Sequence, residues 1–210
     1  MRVVVIGASG TIGGAVAAAL EPRHEVVRAS RSAAVVVDVG DPASIDRMFA
    51  LVGEVDAVVC AAAHARPAAL TDVRFAEALR DKLIGQATLV SRSIAHLRDG
   101  GSVTVTAGTF TRPSPGNAVG VLVNEGLQWF VRAAAADLPR GIRVNMVSPG
   151  WVRETLVAMG SADLSGTPAR DVARSYVECV EGTFTGRNLV PAGAAPSVTY
   201  GVGPESGTPS

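Results

Sequence analysis

The opening stretch, M-R-V-V-V-I-G-A-S-G-T-I-G-G, constrains this chain more than any other. Val3, Val4, Val5 and Ile6 form an unbroken, mostly β-branched run, which suits a strand buried on both faces. The run stops at Gly7, and Thr11 and Ile12 open an Ala-rich helical stretch that reaches Leu20. Between strand and helix lie Gly7, Gly10 and Gly13. One glycine allows the tight bend, one lets the backbone approach a phosphate, and the third lets the helix pack on the strand. The turn from Gly7 through Ser9 to Gly13 therefore reads as a dinucleotide cradle, with the free N–H groups at the helix start facing the anion.

The next segments supply the rest of such a site. A second strand begins at Glu25 and ends in R-A-S-R-S, where Ser30, Arg31 and Ser32 stand without a carboxylate. An acidic residue there would hold the 2′-OH of NAD, whereas an arginine accepts a 2′-phosphate, so the expected cofactor is NADP. A third strand at Val35, Val36 and Val37 leads into Asp38 and Val39, where the carboxylate can bond the adenine amino group. Asp41 and Pro42 are placed to cap and open a helix that runs to Val52. A fourth strand ends at Cys60. Ala61 and Ala62 beyond it are small enough for a nicotinamide ribose to lie against the backbone, and His64 is within reach of a substrate.

Residues 71–97 read as two helical pieces, with Lys82 near the start of the longer one. A fifth strand over 102–106 ends at Ala107, Gly108 and Thr109. A long helix over 117–137 and a sixth strand over 141–147 follow, then Pro149, Gly150 and Val152, a connection of about a dozen residues, a helix to Val180 and a short seventh strand at 188–190. This alternation predicts an α/β fold: a Rossmann-like doubly wound parallel sheet of about seven strands, helices on both faces and ligands at the strand carboxyl ends. One domain spans 1–193. Residues 194–210, rich in Ala, Gly, Pro, Ser and Thr, read as a flexible tail. Nineteen basic and nineteen acidic residues cancel, which gives no pull toward nucleic acid or an anionic membrane. Two distant cysteines offer no metal-ligand spacing and fit a reduced, cytoplasmic protein. With no membrane-length apolar run and no signal-peptide layout, a small-molecule substrate is the expected partner.

The turn from Gly7 to Gly13, Asp38 after the third strand, and G-I-R-V-N leading into S-P-G at Ser148, Pro149 and Gly150 together resemble the short-chain dehydrogenase/reductase family. The late run from Gly166-Thr167-Pro168 to Phe184-Thr185-Gly186-Arg187 is also similar, so the resemblance covers about residues 2–193. It implies a nicotinamide cofactor and hydride transfer to or from a carbonyl or alcohol. It also implies an Asn-Ser-Tyr-Lys set: tyrosine as acid, lysine lowering its pKa and holding the ribose, serine orienting the carbonyl, asparagine supporting a water chain.

This chain departs from that set. Matched to the family, Gly120 falls at the tyrosine, Asn124 at the lysine, and Gly108 or Thr109 at the serine. Neither tyrosine, Tyr176 nor Tyr200, lies near the motif. The family's asparagine aligns with Lys82, so a lysine and an amide have traded helices. Lys82 is the only lysine beside eighteen arginines, and an ammonium can shed its proton where a guanidinium cannot. Lys82, Thr109, Asn124 and His64 are thus the candidate catalytic groups, with Lys82 also touching the cofactor. Three readings stay open: an NADP-dependent oxidoreductase with an atypical proton donor, a non-redox isomerase, lyase or cyclase, and an inactive NADP-binding protein. The family's two-fold helix pairing implies a homo-oligomer, dimer or tetramer, through Leu83, Ala87, Val90, Ile94, Leu122, Leu127, Phe130 and Val131.

Overall fold

The computed structural model describes residues 1–62, 74–109, 116–161 and 165–192. His64, Leu164, Tyr200 and the tail lie outside these residues. Seven parallel strands form one sheet in the order β3-β2-β1-β4-β5-β6-β7. They are β1 (Arg2–Ile6), β2 (Glu25–Ser30), β3 (Val35–Val36), β4 (Val55–Cys60), β5 (Leu97–Thr106), β6 (Arg143–Val147) and β7 (Asn188–Leu189). The order reverses between β1 and β4, and a crevice at such a switch point is where open α/β sheets take ligands.

The valine run of β1 is buried on both faces, as its lack of alternation requires. Val4 and Ile6 join the core that contains α2 (Pro42–Val52), α4 (Gly85–Ser93) and α5 (Ala118–Asp137). Val3 and Val5 join the opposite core, under α1 (Thr11–Leu20) and α7 (Ala169–Glu181). Each side chain taken fully out of water contributes roughly 1.5–3 kcal/mol. Asp41 caps α2 through its side chain on the Ala43 N–H, with Pro42 in the first turn. That is the arrangement its sequence dictates.

Three elements differ from the sequence reading. Over residues 74–97 the chain is not two plain helices, and residues 71–73 lie outside the described residues. α3 (Arg74–Ala78) runs into a π-helical turn, Leu79–Ile84, before α4 begins at Gly85. Leu97 is not helical but pairs with Val55 as the first residue of β5, ahead of a register shift. A short helix, α6 (Arg153–Ala158), occupies the connection after β6. Apolar periodicity does not reveal the π turn, because Leu83, Ala87, Val90 and Ile94 keep the 3–4 spacing of an α-helical stripe.

Candidate active site

The glycine turn is shaped by backbone crowding. Gly7 has φ +83°, and a Cβ there would lie 2.7 Å from the Ala62 nitrogen. Gly13 faces the turn itself, 2.1 Å from the Gly7 carbonyl oxygen by the same construction. No larger residue fits either position without moving backbone. Gly10 stands at the N-cap of α1 with no side-chain cap, and the first turn holds no acidic residue. The positive end of the helix therefore faces outward toward an anion. Gly7 N–H and Ala8 N–H both donate to Ala29 O, at 2.8 and 3.2 Å, which seats the turn against the end of β2.

Two residues beyond Ala29, Arg31 is exposed, and among the described residues no carboxylate pairs with it. Ser30 is buried, and its Oγ accepts the Ser32 N–H at 3.2 Å, which fixes the bend that presents Arg31. Asp38 is exposed, and its Oδ1 accepts the Gly40 N–H at 3.0 Å. The Val39 carbonyl oxygen lies 2.6 Å from where a Gly85 Cβ would stand, so this loop rests on the start of α4. Ala61 N–H donates to Ile6 O at 2.9 Å, holding Ala61 and Ala62 against the glycine turn. Pro149 is buried and Val152 is bridged to Thr167. Thr109 is half-buried after β5.

The other centre of the site is the end of β5. Lys82, in the π turn, is only 9% exposed. Its Nζ donates to Ala107 O over a long 3.5 Å, and among the described residues no carboxylate neutralises it. Burial pulls its pKa down to about 8, with the neighbouring Cys60 a smaller opposing influence. Cys60 itself is pushed up to about 12 by burial, so at neutral pH it is a thiol, donating to Ala62 O.

Asn124 reaches the same turn from α5. Its Nδ2 lies 3.3 Å from where a Gly108 Cβ would stand, and its Oδ1 is buried with no hydrogen-bond partner among the described residues. An ammonium with spare donors and an amide oxygen with no donor thus flank residues 107 and 108. A hydroxyl, which accepts one hydrogen bond and donates another, satisfies both.

Two functional-site features escaped the sequence reading. Gln86 is fully buried and bonds both the backbone of Lys82 and that of Thr106. The sequence signal available for it was a polar residue three positions from both Leu83 and Leu89 in a largely apolar helical stretch. Tyr176, on α7, does not replace the family's tyrosine. Thr106 Oγ1 donates to Cys60 O at 2.6 Å, so the 2.7 Å contact with the Tyr176 hydroxyl is a bond donated by the tyrosine. Tyr176 is wholly buried with its pKa raised by that burial, which makes it a pin between α7 and the sheet.

The cradle a Cβ would fill, the uncapped helix start and the orphaned Asn124 oxygen all fit a dinucleotide with a ribose hydroxyl near Lys82. No group of three or more His, Cys, Asp or Glu residues among the described residues could hold a metal. No helix among them is long and apolar enough to cross a membrane.

Residues 9–178 match the family model described as enoyl-(acyl carrier protein) reductase. No curated protein matches the chain. Among solved structures, the protein lin1944 from Listeria innocua is 36% identical, over 90% of this chain and 98% of its own, with a TM-score of 0.85. A small-chain dehydrogenase crystallised with NADPH is 24% identical over 92% of this chain and 97% of its own, with a TM-score of 0.80. A short-chain dehydrogenase from Burkholderia cenocepacia in complex with NADP is 23% identical over 92% and 96%, with a TM-score of 0.78. At these last two identities the likeness is one of fold.

Proposed function

The chain belongs to the short-chain dehydrogenase/reductase family, and from that premise we propose that it is an NADP(H)-dependent oxidoreductase acting on a carbonyl or alcohol of a small molecule, with Lys82 as proton donor. The observation that carries this reading is the Lys82 ammonium, buried at the end of β5 by Asn124 with no counter-ion among the described residues. Isolating a charge in this way is costly, and its position beside a cofactor cradle gives that cost a purpose.

In this reading, the amides at the start of α1 hold the pyrophosphate, Arg31 with Ser30 and Ser32 holds a 2′-phosphate, and Asp38 meets the adenine. Two structures of the same fold were solved with NADPH and with NADP, which supports that choice. When bound, the nicotinamide gives or takes the hydride. Lys82 gives its proton to the carbonyl oxygen as the alcohol forms, and the neutral amine regains a proton from solvent. Burial has lowered the pKa to about 8, so the group loses its proton readily yet is mostly charged near neutrality. Asn124 Oδ1 orients the hydroxyl between it and Lys82. Thr109 and His64 complete the candidate set, His64 lying outside the described residues. The chain is expected to assemble as a homo-oligomer, dimer or tetramer.

The test is NADPH oxidation with a panel of aldehydes, ketones and quinones, for wild type and Lys82→Met. Turnover lost in the variant while NADPH still binds supports the reading. Tight NADPH binding without turnover in the wild type refutes it in favour of a non-redox or inactive cofactor-binding protein.

A further inference from the structure

Lys82 is a long, flexible side chain on a widened helical turn, and nothing about a π turn by itself aims the ammonium at Ala107. The bonds that fix it come from Gln86. Gln86 Nε2 donates to the Lys82 carbonyl at 3.0 Å and to the Thr106 carbonyl at 2.8 Å, while its Oε1 accepts the Thr106 N–H at 2.7 Å. The last recorded pair between β4 and β5 is Val59 with Thr104. Just beyond it, the glutamine amide occupies the place of a neighbouring strand's peptide, satisfying both backbone groups of Thr106.

The result is a double tether on two consecutive residues. The Lys82 backbone is tied through Gln86 to Thr106, and the Lys82 ammonium meets the carbonyl of Ala107. Thr106 cannot drift, because its hydroxyl is held from the opposite face by Cys60 O and Tyr176. A glutamine needed only for packing has no reason to bond the carbonyl of the lysine as well as both groups of the strand.

We propose that Gln86 is a positioning residue, which holds the π turn against β5 so that the Lys82 ammonium stays buried at the Ala107 carbonyl beside Asn124. The inference rests on Lys82 being the proton donor, and concerns how that group is delivered. Freed of the tether, a lysine stem carries its head to water. The titratable group acting on Lys82 from the packed elements is the Cys60 thiol, so movement toward solvent removes the main cause of its lowered pKa.

Because Lys82 is the only lysine, protein grown on lysine labelled with 13C at Cε gives one lysine signal, whose titration reads this residue alone. We expect it to titrate near the value set by burial, about 8 in the wild type. In Gln86→Met it should move up by about one unit or more, a change of tenfold or greater in the proton equilibrium. Gln86→Asn keeps the amide but shortens its reach by one methylene, and should show the same upward shift if Gln86→Met does not fold. A folded variant in which Lys82 titrates as in the wild type overturns the proposal. Failure of both variants to fold overturns it equally, since Gln86 is then a pin for the sheet. The titration needs neither substrate nor turnover. It can therefore fail while Lys82→Met still abolishes reduction, and succeed while Lys82→Met does not.

Discussion

Lys82 and Asn124 converge from different helices on the two residues that follow β5. Lys82 Nζ lies 3.5 Å from Ala107 O, and Asn124 Nδ2 lies 3.3 Å from the position of a Cβ on Gly108. Gly108 has room for a hydrogen where a side chain would press on the amide. Among the described residues, the relationship joins a cation that lacks a counter-ion to an acceptor that lacks a donor.

Cofactor selectivity follows from the end of β2. Arg31 is exposed and, among the described residues, has no carboxylate partner beside a turn fixed by Ser30, so it can meet a 2′-phosphate. A charged contact of this kind contributes roughly 1.5–3 kcal/mol, or about one to two orders of magnitude in affinity. Calorimetric titration should show NADPH binding tighter than NADH by that margin, and Arg31→Ala should erase it. Equal affinities in the wild type exclude this role for Arg31.

The two adjacent glycines of α1 should respond oppositely to alanine. A Cβ at Gly13 meets the Gly7 carbonyl at 2.1 Å, whereas one at Gly14 meets the Ala8 carbonyl at an ordinary 3.4 Å. Gly13→Ala should cost about 3 kcal/mol through displaced backbone and weaken NADPH binding. Gly14→Ala should be neutral, or stabilise by up to about 1 kcal/mol through helix propensity. Thermal unfolding of both variants decides it, and equal melting temperatures contradict the packing argument.

The buried ammonium makes stability depend on pH with a defined sign. Its pKa falls from 10.5 to about 8 on folding, so between these values the unfolded chain binds more protons than the native one. Stability from this group therefore rises as pH climbs from 8 toward 10.5, and below 8 a cost of about 3 kcal/mol stands in full. Lys82→Met should be more stable than wild type at about pH 6, by up to that amount, and the gap should narrow above pH 8. Comparing the two proteins largely cancels the opposing titration of Cys60. A gap that does not change with pH contradicts the burial.

Much of this molecule was legible in its sequence. The β-branched run from Val3 to Ile6, the glycine spacing and the Asp41-Pro42 start of α2 are local signals, and each appears in the fold. The reading of Lys82 and Asn124 as an exchanged pair rests on alignment to a family rather than on a local signal. The π turn and the Gln86 bridge were not legible, because both depend on how α4 meets the end of β5, a contact between distant residues. Leu97 was misplaced for the same reason, since its pairing with Val55 overrides the helical pattern around it.

The expected oligomer surface needs a narrower definition. Val90, Leu127 and Val131 are buried in the chain's own core, so they are not available to a partner. Leu122 and Trp129 on α5 and Ile84 on the π turn are 47%, 64% and 57% exposed. We propose that these three side chains contribute to the surface through which copies of the chain associate. Sedimentation at ~50 μM, well above the dissociation constant of a stable interface, should show at least a dimer, and Leu122→Glu with Trp129→Glu should give a monomer. A wild-type monomer at that concentration refutes the interface.

The exchanged pair gives the most direct test of the whole account. Lys82→Asn, Asn124→Lys and the double exchange should be compared by NADPH affinity and by NADPH oxidation with whichever carbonyl the wild type reduces. If both side chains serve one site, each single change removes or doubles its cation, and the double change restores one cation and one amide. The double variant should then lose less than the two single losses combined, by the coupling of roughly 0.5–3 kcal/mol found for residues in one network. Strict additivity, or wild-type oxidation in Lys82→Asn, would show that Lys82 and Asn124 act apart and that the proton comes from another group.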